Sequence, residues 1–187
     1  WWQLWTKHFT PDECQIIRNE AMKLPVQQGA IGHGGGDRVD KGYRRSNVRW
    51  VHRVAPQWKW LIERMDYLFQ RSNNHAFGFE LSYFHEIQFT EYDASYEGKY
   101  DWHEDLTWPV VGRSAVHRKL SMVIQLSDPA EYEGGKLELK EEPPVVDELR
   151  QLGTVIVFPS FLEHRVTPVT SGTRYSLVSW YEGPKFR

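Results

Sequence analysis

At Phe79 the periodicity of this 187-residue chain changes. Before it, apolar residues recur at helical spacing; after it, they alternate with polar residues over short runs divided by turn residues. The pattern predicts strands over 84–92, 99–103, 120–126, 136–140, 153–158 and 173–181, punctuated by Pro129, Gly134-Gly135, Pro143-Pro144 and Ser171-Gly172. A short strand with one apolar face needs a second sheet or a helix to cover that face. Several in succession predict a sandwich or barrel buttressed by helices, so the fold class read here is mainly β with flanking helices.

The buttressing helices belong to residues 1–78. Thr10-Pro11-Asp12-Glu13 has the order of a helix start, with a threonine cap, proline in the first turn and a glutamate three residues after the cap. This helix is expected to run to about Leu24, where Pro25 stops it. Cys14 lies on it as a packing residue. Trp58, Leu61, Ile62, Met65, Leu68 and Phe69 form one apolar stripe of a second helix, ending near Ser72-Asn73-Asn74. Between the helices, 29–42 is glycine-rich and reads as a surface loop, with a mobile lid as the rival reading. No strand leads into it, so it lacks the context of a dinucleotide fingerprint. Residues 44–51 read as an edge strand whose arginines face solvent. The whole chain is expected to form one domain, with helical support in 1–78 and the β core in 79–187.

Composition removes several classes. A formal net charge of −2 carries no basic surplus for nucleic acid, and no nucleic-acid partner is expected. No apolar run approaches the roughly 18 residues of a membrane span. Cys14 is the single cysteine, so no intramolecular disulfide forms. These features give a cytoplasmic expectation, although the first residue is Trp and any removed targeting peptide lies outside view. Oligomeric state is not readable.

The chemistry concentrates in His103, Asp105, His164 and Arg174. Side chains two apart on a strand share a face, so His103 and Asp105 can reach one ion, with His164 arriving from another strand. Two imidazoles and a carboxylate leave about three octahedral positions open, the arrangement of non-haem Fe(II) oxygenases. A 2-oxo acid chelating such an iron needs a partner for its far carboxylate. Arg174, with a planar guanidinium that holds a carboxylate through two parallel bonds, suits that task. Alternation puts Arg174, Ser176, Val178 and Trp180 on one face and Tyr175, Leu177 and Ser179 on the other. Gln88, Thr90 and Tyr92 likewise oppose Ile87 and Phe89. Ser176 and Tyr92 are therefore further candidates for the co-substrate. The remaining histidines, His8, His33, His52, His75, His85 and His117, read as structural or exposed.

Taken together, His103-Glu104-Asp105, Glu133-Gly134-Gly135-Lys136-Leu137, Phe158-Pro159-Ser160, His164 to Val169 and Arg174 to Trp180 resemble the Fe(II)/2-oxoglutarate-dependent dioxygenases, within them the prolyl 4-hydroxylase-like branch. The resemblance spans roughly residues 84–181. It implies a double-stranded β-helix (jelly-roll, cupin-like) core, iron on His103, Asp105 and His164, and 2-oxoglutarate on Arg174 with Tyr92 and Ser176 assisting. Trp180 would face the substrate. Co-substrates would be 2-oxoglutarate and O2, with ascorbate as an optional reductant. The implied reaction hydroxylates an unactivated C–H and releases succinate and CO2. The implied partner is a peptide or protein, with a peptidyl proline as the target. Some members place a tyrosine on the strand corresponding to 120–126; Ile124 is read as that place here. Open alternatives are an oxygenase for a small molecule and a non-catalytic jelly-roll binding module. A zinc hydrolase is disfavoured because no general base accompanies the triad.

Overall fold

The computed structural model describes residues 1–32, 37–106, 116–141 and 146–186. Its first helix, Pro11–Met22, starts where the sequence predicts. Thr10 Oγ1 accepts from the Glu13 amide (3.2 Å) and Glu13 Oε2 accepts from the Thr10 amide (2.9 Å). The helix ends at Met22, short of Leu24, and Cys14, Ile17 and Ala21 form its buried face. Burial pushes the Cys14 thiol pKa up to about 12, which suits packing rather than nucleophilic chemistry. The second helix, Lys59–Ser72, follows a short turn at Pro56–Trp58 and buries Leu61, Met65, Leu68 and Phe69.

Both helices pack on one face of an eight-stranded antiparallel sheet. Its central strands are Val155–Pro159, Val116–Gln125, Val169–Pro184 and Tyr83–Asp93. Leu61, Met65, Leu68 and Phe69 meet Ile87, Phe89, Leu120, Met122, Ile124 and Leu177 in the first core cluster. Burying each such side chain contributes about 1.5–3 kcal/mol, so this interface fixes which sheet face is inner. A second, four-stranded sheet contains Leu137–Leu139, His164–Val166, Lys99–His103 and Arg44–Arg45. Leu137, Leu139, Leu162 and Val166 pack against Tyr92, Val123, Ile156 and Phe158 of the larger sheet. The expected mainly β jelly roll with supporting helices is the fold observed.

Three local readings change. The first 78 residues contribute strands as well as helices, because Gln3–Trp5, Gln27–Gln28 and Asn47–Val51 extend the larger sheet. The supposed edge strand at 44–51 divides between both sheets, and its second part is paired on both sides, by Gln27–Gln28 and by Tyr83–Asp93. Two of its three cations are not solvated: Arg44 and Arg49 are buried, and Arg49 pairs with Glu91 at 3.1 Å, whereas Arg45 is half-buried. Within 29–42, Ile31–Gly32 pairs with Asp37–Arg38 as a hairpin, while 33–36 lie outside the described residues, as do His33 and Pro143-Pro144. The side chain of His85 also lies outside them. No helix among the described residues is long and apolar enough to cross a membrane.

Candidate metal centre

His103 closes the strand Lys99–His103, and His164 opens the strand His164–Val166 directly opposite it. Asp105 lies just beyond the first strand rather than within it, and its amide donates to the Ser160 carbonyl (2.9 Å). One ligand atom from each residue falls within 4.8 Å of the others, and all three residues are buried. No other group of three such donors occurs among the described residues. The Asp105 carboxylate lies 3.8 Å from His103 Nε2 and 3.5 Å from His164 Nε2.

The surroundings orient these donors. His103 Nδ1 meets the Asp101 carbonyl at 2.7 Å and His164 Nδ1 meets the Leu162 carbonyl at 2.9 Å. With Nδ1–H donating to those carbonyls, both Nε2 lone pairs face the common point. Burial, then the neighbouring His164, lowers the His103 pKa to about 3, so its imidazole is neutral. Burial opposes the Asp105 charge, but His164, His103, Arg118 and the Ser121 hydroxyl outweigh it and hold its pKa below the usual range. Ser121 Oγ donates to Asp105 Oδ2 (2.7 Å) and lies 2.9 Å from Ser160 Oγ. Two imidazoles and one carboxylate with free positions suit a divalent iron, and the donor set fits that metal.

The donors line a cavity of ≈ 440 Å³ between the two sheets. Gln88, Tyr92, Arg174, Ser176, Val178 and Trp180 line the same cavity, as strand alternation predicts. Arg174 is 1% exposed; its Nη2 donates to Gln125 Oε1 (2.9 Å), while its buried Nη1 has no partner. Gly135 admits this side chain: its φ is +55°, and an added Cβ would lie 3.1 Å from Arg174 Cδ. Tyr92 is the direct cross-strand neighbour of Arg174, whose Cζ lies 5.5 Å from its ring. Burial raises the Tyr92 pKa, leaving a neutral hydroxyl. Trp180 is buried, and Arg118 Cζ lies 3.9 Å over its ring.

Ile124 does not face this cavity. It pairs with Leu177, cross-strand partners share a face, and both lie under the helices; Val123 takes the cavity position. Ser121, Ser160 and Gln125 were not singled out as site residues from the sequence. Ser121 and Gln125 share the parity of Val123, which was the available signal. His8, His52, His75 and His117 stand apart from the triad, and His117 accepts from the Phe186 amide (3.1 Å).

The family model for the 2OG-Fe(II) oxygenase superfamily matches residues 87–182, just over half of the chain. The chain belongs to the 2OG-Fe(II) oxygenase superfamily. That family's chemistry uses ferrous iron, 2-oxoglutarate and O2, and the His-Asp-His group present here agrees with it. Among curated relatives, a PKHD-type hydroxylase of Prochlorococcus marinus is 36% identical over 102 residues, 52% of this chain and 42% of the relative. One from a Synechococcus strain is 42% identical over 89 residues, 46% of this chain and 37% of the relative. Each match thus spans less than half of the relative's length. A Pseudomonas putida prolyl-4-hydroxylase structure aligns with TM-score 0.73 at 19% identity, covering 97% of this chain and 92% of that one. A Trichoplax adhaerens prolyl hydroxylase, solved with a hypoxia inducible factor peptide, aligns with TM-score 0.74 at 16% identity, covering 96% and 82%. At these identities the alignments establish the shared fold.

Proposed function

We propose that this protein is an Fe(II)- and 2-oxoglutarate-dependent dioxygenase that hydroxylates an unactivated C–H of a peptide or protein, with a peptidyl proline as the leading target. In this reading His103, Asp105 and His164 hold the iron. When bound there, iron would supply activation of O2 for a reaction in which one oxygen atom enters the C–H bond as hydroxyl and the other enters succinate as 2-oxoglutarate loses CO2. The observation that carries the reading is the buried triad sharing one cavity with Arg174, whose buried Nη1 has no hydrogen-bond partner.

Arg174 would hold the distal carboxylate of 2-oxoglutarate. Leaving that buried donor unpaired costs about 1–3 kcal/mol, which a carboxylate offsets. Tyr92 and Ser176 would donate hydroxyl bonds to the same co-substrate, since both are buried on the cavity wall. Trp180 would close the side next to the substrate. A peptide is favoured over a small molecule because Gln27, Gln28, Ala30, Ile31 and Trp50 form an outer wall drawn from the 27–50 segment. The prolyl hydroxylase fold and the named hydroxylase relatives support the same choice.

The test incubates the protein with Fe(II), ascorbate, 2-oxoglutarate and a peptide library, measuring succinate and the mass gain of one oxygen atom. Oxygenated proline peptides are expected. Succinate release with oxygenation of small molecules alone would replace the peptide assignment. No succinate under any condition would remove the oxygenase assignment.

A further inference from the structure

Three arginines follow one another along the strands at 44–49, and two of them meet acids. Arg45 pairs with Glu97 at 3.2 Å and Arg49 with Glu91 at 3.1 Å. Arg44 differs. Its Nε donates to Ser46 Oγ and its Nη1 to the Ala30 carbonyl, each at 2.9 Å, and its buried Nη2 has no partner. The side chain is 7% exposed and lines the cavity. Among the described residues this cation therefore has hydrogen bonds to neutral oxygens only. A buried charge of this kind is costly until an anion reaches it.

The position is built rather than incidental. Arg44 pairs across strands with Tyr100, and its Cζ lies 4.5 Å from that ring. Tyr100 in turn stacks on His103, with ring centroids 3.5 Å apart. The guanidinium is thus one aromatic ring removed from the candidate metal centre. On its other side a Cβ on Gly29 would lie 2.5 Å from Arg44 Nε and 2.3 Å from Ser46 Oγ, so only a bare backbone fits there.

We propose that Arg44 forms a second anion subsite in this cleft, which takes a carboxylate of the substrate to be hydroxylated. The inference rests on the oxygenase reading above. There, one carboxylate of 2-oxoglutarate goes to the metal and the other to Arg174, which leaves Arg44 for a third. The carboxylate can belong to an acidic side chain beside the target residue of a peptide, or to a free small acid.

Calorimetry on protein loaded with Zn(II) and 2-oxoglutarate, which occupies Arg174 without turnover, separates these cases. N-acetyl-L-proline is compared with its amide, and the blocked peptide Glu-Pro-Gly with blocked Gln-Pro-Gly. In at least one pair the acid is expected to bind about tenfold tighter than its neutral analogue, the worth of one charge-assisted contact. The pair that shows the difference identifies the source. Arg44→Gln should abolish the difference and leave 2-oxoglutarate affinity unchanged. Arg44→Met, which keeps the stem packed on Tyr100, replaces it if circular dichroism shows the first variant unfolded. The subsite is overturned if neither wild-type pair discriminates or if a folded neutral variant keeps the preference. It is equally overturned if the substitution weakens 2-oxoglutarate binding, which would assign Arg44 to the co-substrate. Failure of the Zn(II)-loaded wild type to bind 2-oxoglutarate defeats the oxygenase reading itself, and the subsite with it.

Discussion

Arg174 shows how much a single side chain can decide. Buried beside Tyr92 and tied by one nitrogen to Gln125, it has a second buried nitrogen without a hydrogen-bond partner. Arg174→Ala is expected to weaken 2-oxoglutarate binding by about 1.5–3 kcal/mol, roughly one to two orders of magnitude in Kd. Calorimetry with the Zn(II) form would check this, and an unchanged Kd would take Arg174 out of the site. Ser121 acts one step further back, by fixing Asp105 Oδ2. Ser121→Ala should lower metal affinity about tenfold while leaving the fold intact, as read by metal titration and circular dichroism. Arg174 was readable in the sequence because its strand alternates cleanly from Arg174 to Trp180. Ser121 and Gln125 were not, since a buried serine or glutamine declares its partner only once strands are in register.

At the level of elements, parity did most of the predictive work and failed where pairing partners were needed. Arg174, Ser176, Val178 and Trp180 face the cavity as alternation requires. Ile124 was placed one residue out of phase, because its face is set by Leu177 on the neighbouring strand. The arginines at 44–49 read as solvated because Glu91 and Tyr100, which receive two of them, lie more than forty residues away. The junction between Tyr83–Asp93 and Val169–Pro184 gives a pH prediction. Asp93 accepts from the Ser95 amide (2.9 Å) and from Thr173 Oγ1, and hydrogen bonding by the Ser95 side chain first, then by Thr173 and by that amide, lowers its pKa. A depressed carboxyl pKa stabilises the fold above the ordinary aspartate value near 4, and that contribution disappears as pH falls through the folded value. Asp93→Ala should therefore lower the Tm at neutral pH. The gap from wild type should close as melts are taken down toward pH ~2; a gap that persists there would contradict the assignment.

For the whole molecule, the candidate site is built from two sheets held face to face. The smaller supplies His103 and His164, and the larger supplies Tyr92, Arg174, Ser176 and Trp180. The helices hold the larger sheet from behind, and the cavity lies on its other face. The triad was readable because His103 and Asp105 are local and His164 follows in order. The direct pairing of His164 with His103 came only with the fold. The central claim, that these three residues hold the iron that drives 2-oxoglutarate turnover, is tested most directly by succinate release with Fe(II) and O2, wild type against His164→Ala. Succinate from the wild type and none from a folded His164→Ala is the expected result. Equal release from both, or release from the wild type that survives complete removal of metal, would contradict it.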